Sequence, residues 1–333
     1  MKPAFLITID TEGDNLWDAP RIITTRNTSY LGRFQTLCER HGLKPTYLTN
    51  WEMANDPDFV AFGRAAIVRG TCEVGMHLHA WNSPPLVPLT ADDFQHQPYL
   101  VEYPRDQIRE KVRRVTDLLE EKFGVKMQSH RAGRWAFNET YARILIECGY
   151  TVDCSVTPGV SWSSFKGDPS GTGGTDYRSF PTGAYYIDPG DIRRSGPSTL
   201  LEIPMTIRPS IDPPLGRMAV RLTSRSQLAT KVVRRIWPNP LWLRPNGRNR
   251  KRLLDLLERV VASGDDFVEF MLHSSEFMPG GSPTFQSDHS IEVLYADLEA
   301  LFERAAALCE GMTLSGYRER YSARVAPRLA AQA

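Results

Sequence analysis

No stretch of the 333-residue sequence stays apolar for 18 consecutive positions, so no membrane-spanning helix is encoded. No CxxC pair occurs. The five cysteines (Cys38, Cys72, Cys148, Cys154 and Cys309) are scattered and odd in number, and are expected as reduced thiols packed like small hydrophobes. Neither GxGxxG nor GxxxxGK[ST] follows a candidate strand, which removes the usual nucleotide fingerprints. Charge of one sign is not in excess: 40 Lys and Arg face 39 Asp and Glu, for a net charge of +1. Such a balance offers no global field for nucleic acid, and no nucleic-acid partner is expected. The first apolar run, Ala4 to Ile9, is shorter than a signal-peptide core and ends at Asp10-Thr11-Glu12 without a small-residue cleavage site. It reads as the first buried strand of a cytoplasmic protein.

What remains is a globular composition, 41% hydrophobic and 24% charged. Short β-branched runs alternate with helical ones. Strands are expected at 5–9, 45–49, 72–79, 127–131, 152–156, 200–207 and 267–273. Helices are expected at 30–41, 57–70, 105–123, 140–148, 252–262 and 290–309, several closed by glycine. Alternation with short connections favours parallel βαβ units, hence a barrel or a doubly wound sheet. Residues 80–103 read as a long loop, and the end of the chain as a polar, Arg-rich tail. The pattern breaks at residue 157, and 157–250 reads as an irregular insertion on the substrate side of a single domain, 1–333. Residues 217–252 are rich in Arg and Lys. Their plain reading is a solvated helix face; the sharper one is peripheral contact with an anionic glycan, a lipid diphosphate or a membrane surface.

The chemistry concentrates at strand ends. Asp10 and Glu12 lie two apart, on one face of the first strand at its carboxyl end, where α/β active sites form. His77 and His79 have the same spacing at the end of another strand. Two imidazoles and a carboxylate with an open position make a catalytic zinc or iron set rather than a closed structural one. His273 leaves the last long strand into a polar loop, where an imidazole can act as a general acid near neutral pH. Arg131, if buried among these carboxylates, would keep one of them ionised. Gly133 would allow close backbone approach to a ligand. Trp17, Trp81, Trp135 and Trp162 are candidates for stacking on a sugar ring.

In this order the residues resemble the polysaccharide deacetylases, the chitin-deacetylase-like carbohydrate esterases, from residue 4 to about residue 275. Thr8-Ile9-Asp10-Thr11-Glu12-Gly13 resembles the first motif and Glu73-Val74-Gly75-Met76-His77 the second. Arg131 resembles the third motif's arginine, Gly149-Tyr150-Thr151-Val152-Asp153-Cys154-Ser155-Val156 the stretch after it, and Leu272-His273 the last. The resemblance implies a distorted (β/α)7 barrel of parallel strands and a divalent metal, Zn2+ first, with Fe, Co, Ni or Mn as alternatives. It implies Asp10 as base, Arg131 as its orienting partner and His273 as acid. Glu12, His77 and His79 would be the ligands. Trp81 stands where the family's second histidine would be, and His79 is read as its substitute. Gly133, Arg134 and Trp81 fall on the substrate side, with a backbone N–H near Gly133 at the oxyanion. The implied reaction is N-deacetylation of an N-acetylated sugar, in a branch similar to proteins of lipopolysaccharide or capsule synthesis. The alternatives are a catalytically altered carbohydrate-binding or partner-binding relic of the fold, a barrel amidohydrolase, and a glycosidase. The amidohydrolases carry HxH on the first strand, here it is on the third. A glycosidase needs carboxylates flanking the sugar, which neighbours on one strand face do poorly.

Overall fold

The computed structural model describes residues 2–209 and 240–330. Ala4–Thr11 is buried at every position, as an unbroken apolar strand of a parallel sheet should be. Numbered along the chain, the described strands are β1 (Ala4–Thr11), β2 (Pro45–Thr49), β3 (Glu73–Leu78), β4 (Ser129–Ala132), β5 (Val152–Asp153), β6 (Tyr185–Asp188), β7 (Asp191–Ser195), β8 (Leu201–Glu202), β9 (Ile207–Arg208), β10 (Leu241–Trp242), β11 (Phe267–His273) and β12 (Glu310–Met312). Seven of them form one parallel run in the order β11-β1-β2-β3-β4-β5-β8. The hairpin β6-β7 extends the run antiparallel beyond β8.

Helices cross between the strands and cover the sheet. Pro57–Val68 begins where Asp56 caps the amides of Asp58 and Phe59, with proline at the first turn. Arg105–Phe123 ends on Gly124, whose φ of +70° suits a residue without a Cβ. The main core packs Phe5, Ile7 and Ile9 against apolar side chains from these helices and from Asp288–Leu308.

The ends of the parallel run approach each other. Among the described residues no backbone ladder joins β8 to β11. Thr206 Oγ1, just beyond β8, accepts the Glu269 N–H at 2.8 Å, and Met205, Ile207 and Met271 pack together across the gap. The sheet is therefore curled, with its two edges tied by side chains.

Several expected elements differ. The strand anticipated at 200–207 is two short ones, β8 and β9, with Pro204 between them lacking the N–H a ladder needs. The loop 80–103 holds a helical turn, Asp93–His96, capped by Asp92. The stretch 157–250 divides. Its β8 belongs to the parallel run, whereas Trp162 and Phe165 reach the cavity described below. The polar tail is instead β12, which pairs with Ala4–Leu6, and a helix, Leu314–Ala330, which buries Leu314 and Tyr317. An amphipathic helix with many arginines looks polar in composition, and only its periodic apolar face betrays it. The basic stretch 217–252 lies outside the described residues up to position 239. From 240 on it forms β10 and the start of the helix Arg250–Ala262. All five cysteines are unpaired.

Replacing Thr206 with Val should leave the Glu269 N–H buried without a partner and lower stability by about 1–3 kcal/mol. Urea denaturation checks this: the midpoint should fall while the slope stays constant.

Candidate metal centre and active-site cavity

Parallel register brings the chemical residues to one rim. Asp10 pairs with His273 across β1 and β11, and His77 pairs with Arg131 across β3 and β4. Glu12 and His79 follow two residues beyond Asp10 and His77, so both pairs point to one side.

Glu12 Oε2 lies 2.8 Å from His79 Nε2 and 3.5 Å from His77 Nε2. The two imidazole nitrogens are 3.1 Å apart, and all three residues are buried. His77 Nδ1 donates to the Arg131 carbonyl at 2.9 Å, which leaves the Nε2 lone pair facing Glu12 and His79. Three electron-rich atoms then converge within one cation's reach, all of them within 4.8 Å of one another. A divalent ion satisfies such a set, and its donor types fit zinc-like chemistry. Burial pushes the Glu12 carboxyl up, but the neighbouring His77 and His79 imidazoles hold it well below the usual carboxylate range. Burial also depresses His77, yet Asp10 and Glu12 outweigh it and raise that imidazole. In His79 burial, helped by the charge of His77, wins over Glu12 and lowers it. Trp81 packs against His79 with tilted rings whose centroids are 4.3 Å apart, so the residue at the expected histidine position backs the candidate ligand. Asp14 is turned away, accepting the Arg26 N–H at 2.7 Å and the Arg26 side chain at 2.9 Å.

Asp10 is held from below. Arg131, fully buried, donates to Asp10 Oδ1 at 2.6 Å, to Glu269 Oε1 at 2.5 Å and to Thr8 Oγ1 at 2.7 Å. Burial raises the Asp10 carboxyl, but Arg131, His77 and His273 together bring it below its ordinary value. Glu269 is pushed up to about 8 by burial, despite Arg131, so it is the neutral acid of the pair around this guanidinium.

His273 stands on the far side, with Nε2 3.8 Å from Asp10 Oδ2 and 3.9 Å from Glu12 Oε1. Two groups absent from the sequence reading meet its Nδ1: Glu276 Oε2 at 3.2 Å and Arg244 Nη2 at 3.0 Å. A guanidinium only donates. Arg244 already has Glu276 as its acceptor at 2.8 Å, and the His273 N–H also donates to Glu276. With both neighbours at Nδ1, Nε2 is the ring nitrogen left facing Asp10 and Glu12 across the cavity. The Trp17 ring packs edge-on against His273, with centroids 5.0 Å apart.

These groups line a cavity of about 350 Å³ whose walls include Trp17, Trp81, Trp135, Trp162, Tyr99 and Arg134. Arg134 lies over the Tyr99 ring and donates to the Gln97 carbonyl. Arg134 and Trp135 adopt consecutive left-handed conformations, φ +53° and +61°, a strained turn held by its surroundings. Gly133 lies against the end of β3. A Cβ there would meet the Leu78 carbonyl at 2.3 Å and His79 Nδ1 at 2.8 Å, so its bareness makes room for the end of β3 and a candidate ligand.

Sequence reasoning missed Glu276, Arg244, Glu269 and Glu52. The first sits three residues after His273, a spacing visible only once the turn Ser274–Phe277 is known. Glu52 accepts from the Gly13 N–H at 3.0 Å and from Asn82 Nδ2 at 3.0 Å, tying together the loops that follow Glu12 and His79.

No family model matches the sequence, and no curated protein sequence does. Solved structures do. A protein from Mycobacterium smegmatis provisionally named a polysaccharide deacetylase aligns at 14% identity over 97% of this chain and 92% of its own, with a TM-score of 0.53. A protein from Parabacteroides distasonis provisionally named a glycoside hydrolase/deacetylase aligns at 10% identity, covering 96% and 72%, with a TM-score of 0.59. A 4-alpha-glucanotransferase from Thermococcus litoralis aligns at 15% identity over 96% of this chain and 41% of its own, with a TM-score of 0.51. At such identities the likeness is one of architecture.

Burial, partly offset by the Gly13 N–H and Asn50, pushes the Glu52 carboxyl up to about 7. The folded chain then binds a proton that the unfolded chain releases near the ordinary glutamate value. Stability should fall as the pH rises from about 4.5 to 7. Glu52→Gln should flatten that slope in denaturation series run across these pH values.

Proposed function

We propose that the chain is a metal-dependent N-deacetylase. It hydrolyses the acetamide of an N-acetylated sugar during synthesis of a cell-surface polysaccharide or lipopolysaccharide, in the cytoplasm. The observation that carries this reading is the meeting, in one aromatic-walled cavity, of a Glu-His-His set with a lowered aspartate on one side and an open histidine nitrogen on the other. The fold likeness to a protein provisionally named a polysaccharide deacetylase supports it.

Glu12, His77 and His79 would hold a divalent ion, Zn2+ first. When bound, such an ion polarises an amide carbonyl and acidifies water. The remaining steps belong to the chain. Asp10 has one oxygen committed to Arg131, so Oδ2 is the atom that takes the water's proton. Arg131 orients that carboxylate and keeps it ionised. His273, backed by Glu276 at Nδ1, delivers a proton from Nε2 to the departing amine. Trp81 and Arg134 wall the substrate side, while Gly133 contributes the space that seats His79. The non-catalytic alternative, a glycan binder on the same fold, would bind metal and sugar without releasing acetate.

Asp10→Asn should lower acetate release at least about 100-fold, with the metal content, read by mass spectrometry of the purified protein, unchanged. A fully active Asn variant would remove Asp10 from the role of base. His79→Ala should lose the metal; a variant that retains it would overturn this ligand set.

A further inference from the structure

The carboxylates and guanidinium groups lining the metal-site cavity are Asp10, Glu12, Arg134 and Arg244. Asp10 is paired with Arg131 at 2.6 Å, and Arg244 with Glu276 at 2.8 Å. Glu12 faces the His77 and His79 imidazoles. Arg134 differs: among the described residues no carboxylate forms an ion pair with it. It lies 4.2 Å over the Tyr99 ring and donates to the Gln97 carbonyl and, at 3.4 Å, to the Lys166 carbonyl. Burial pulls this guanidinium below its ordinary value, against Tyr99 and Glu102. Glu102 acts on it from a distance and is itself committed, its Oε2 accepting the Tyr99 N–H at 2.7 Å and the Asp168 N–H at 3.0 Å.

Carbonyls satisfy donors but supply no counter-charge. The two here engage one hydrogen at each terminal nitrogen and leave the others, with the Nε–H, for a ligand. The backbone adds an independent observation. Arg134 sits at φ +53°, where any Cβ is disfavoured, so the turn holds a long cationic side chain against the cavity at a conformational cost. The Tyr99 ring that carries the guanidinium is anchored in turn, its hydroxyl donating to the Phe165 carbonyl at 2.9 Å. A half-buried planar fork, fixed in position and lacking a counter-charge, fits the oxygens of a carboxylate or phosphate.

We propose that Arg134 reads an anionic substituent of the substrate, so that the sugar deacetylated here is acidic and carries a carboxylate or a phosphate besides its acetamide. The inference rests on the deacetylase reading for the reaction, and its test separates the two.

The test uses N-acetylglucosamine, N-acetylglucosaminuronic acid and N-acetylglucosamine 6-phosphate, with the matching galacto series. Acetate release is measured on Zn2+-loaded protein, and calorimetric binding on both loaded and metal-free protein. An acidic sugar should be favoured over its neutral counterpart about tenfold or more, with or without metal, and less so at high salt. The stronger of the two acidic arms tells carboxylate from phosphate. Arg134→Gln should remove the preference, and Arg134→Lys, which keeps the charge without the fork, should retain part of it. Equal handling of neutral and acidic sugars by the unaltered protein overturns the role of Arg134 and leaves the deacetylase reading intact. So does a preference that survives in Arg134→Gln or vanishes with the metal. Acid-selective binding that Arg134→Gln abolishes, without acetate release from any sugar, overturns the deacetylase reading and leaves the anion site standing. Absence of both binding and release overturns both.

Discussion

A buried guanidinium has to be answered by charge, and Arg131 organises the interior of the sheet around that requirement. It reaches β1 through Thr8 and Asp10, β11 through Glu269 and the segment after β5 through the Cys154 carbonyl at 3.2 Å. Its own carbonyl fixes His77. One residue thus sets the ionisation of Asp10, the tautomer of a candidate ligand and the spacing of several strands. Asp10 supplies the compensating charge. Glu269, mostly protonated near neutral pH, takes up the second fork of the guanidinium without adding a full negative charge.

The same design recurs across the cavity with roles exchanged. There Arg244 holds Glu276 below its ordinary value against burial, with His273 adding to the effect. His273 in turn rests on Glu276. Each group proposed to move a proton is thus backed by a charged neighbour that does not face the cavity. Preorganisation of this kind spares the site from rearranging when charge develops.

Much of this was legible in the sequence. The strand-helix alternation, the same-face pairs Asp10/Glu12 and His77/His79, and the end-of-strand position of His273 follow from periodicity two and from where α/β sheets expose their ends. The nearness of His79 to His77 and Glu12 was legible too, because i and i+2 share a face. What stayed hidden depends on contacts distant in sequence. Glu269 looks like an interior polar lapse in an apolar strand until Arg131 is seen beside it. Arg244 lies in a basic stretch where one arginine resembles the next. At Gly133 the approach of the Leu78 carbonyl is a constraint that the sequence alone does not show.

The arrangement of the first strand has a consequence for how the chain comes to fold. β1 is paired along one edge with β11, while its other edge is shared by β12 at Ala4–Leu6 and β2 at Ile7–Thr11. Thr8 and Glu269, neighbours in the sheet, are 261 residues apart in the chain. β1 is thus completed by segments made long after it. During synthesis β1 must wait with an unsatisfied apolar edge, the condition under which strands mispair. Contacts so remote in sequence also slow the search for the native state. The pairing of Asp10 with His273 is therefore available only after the segment through β11 has emerged.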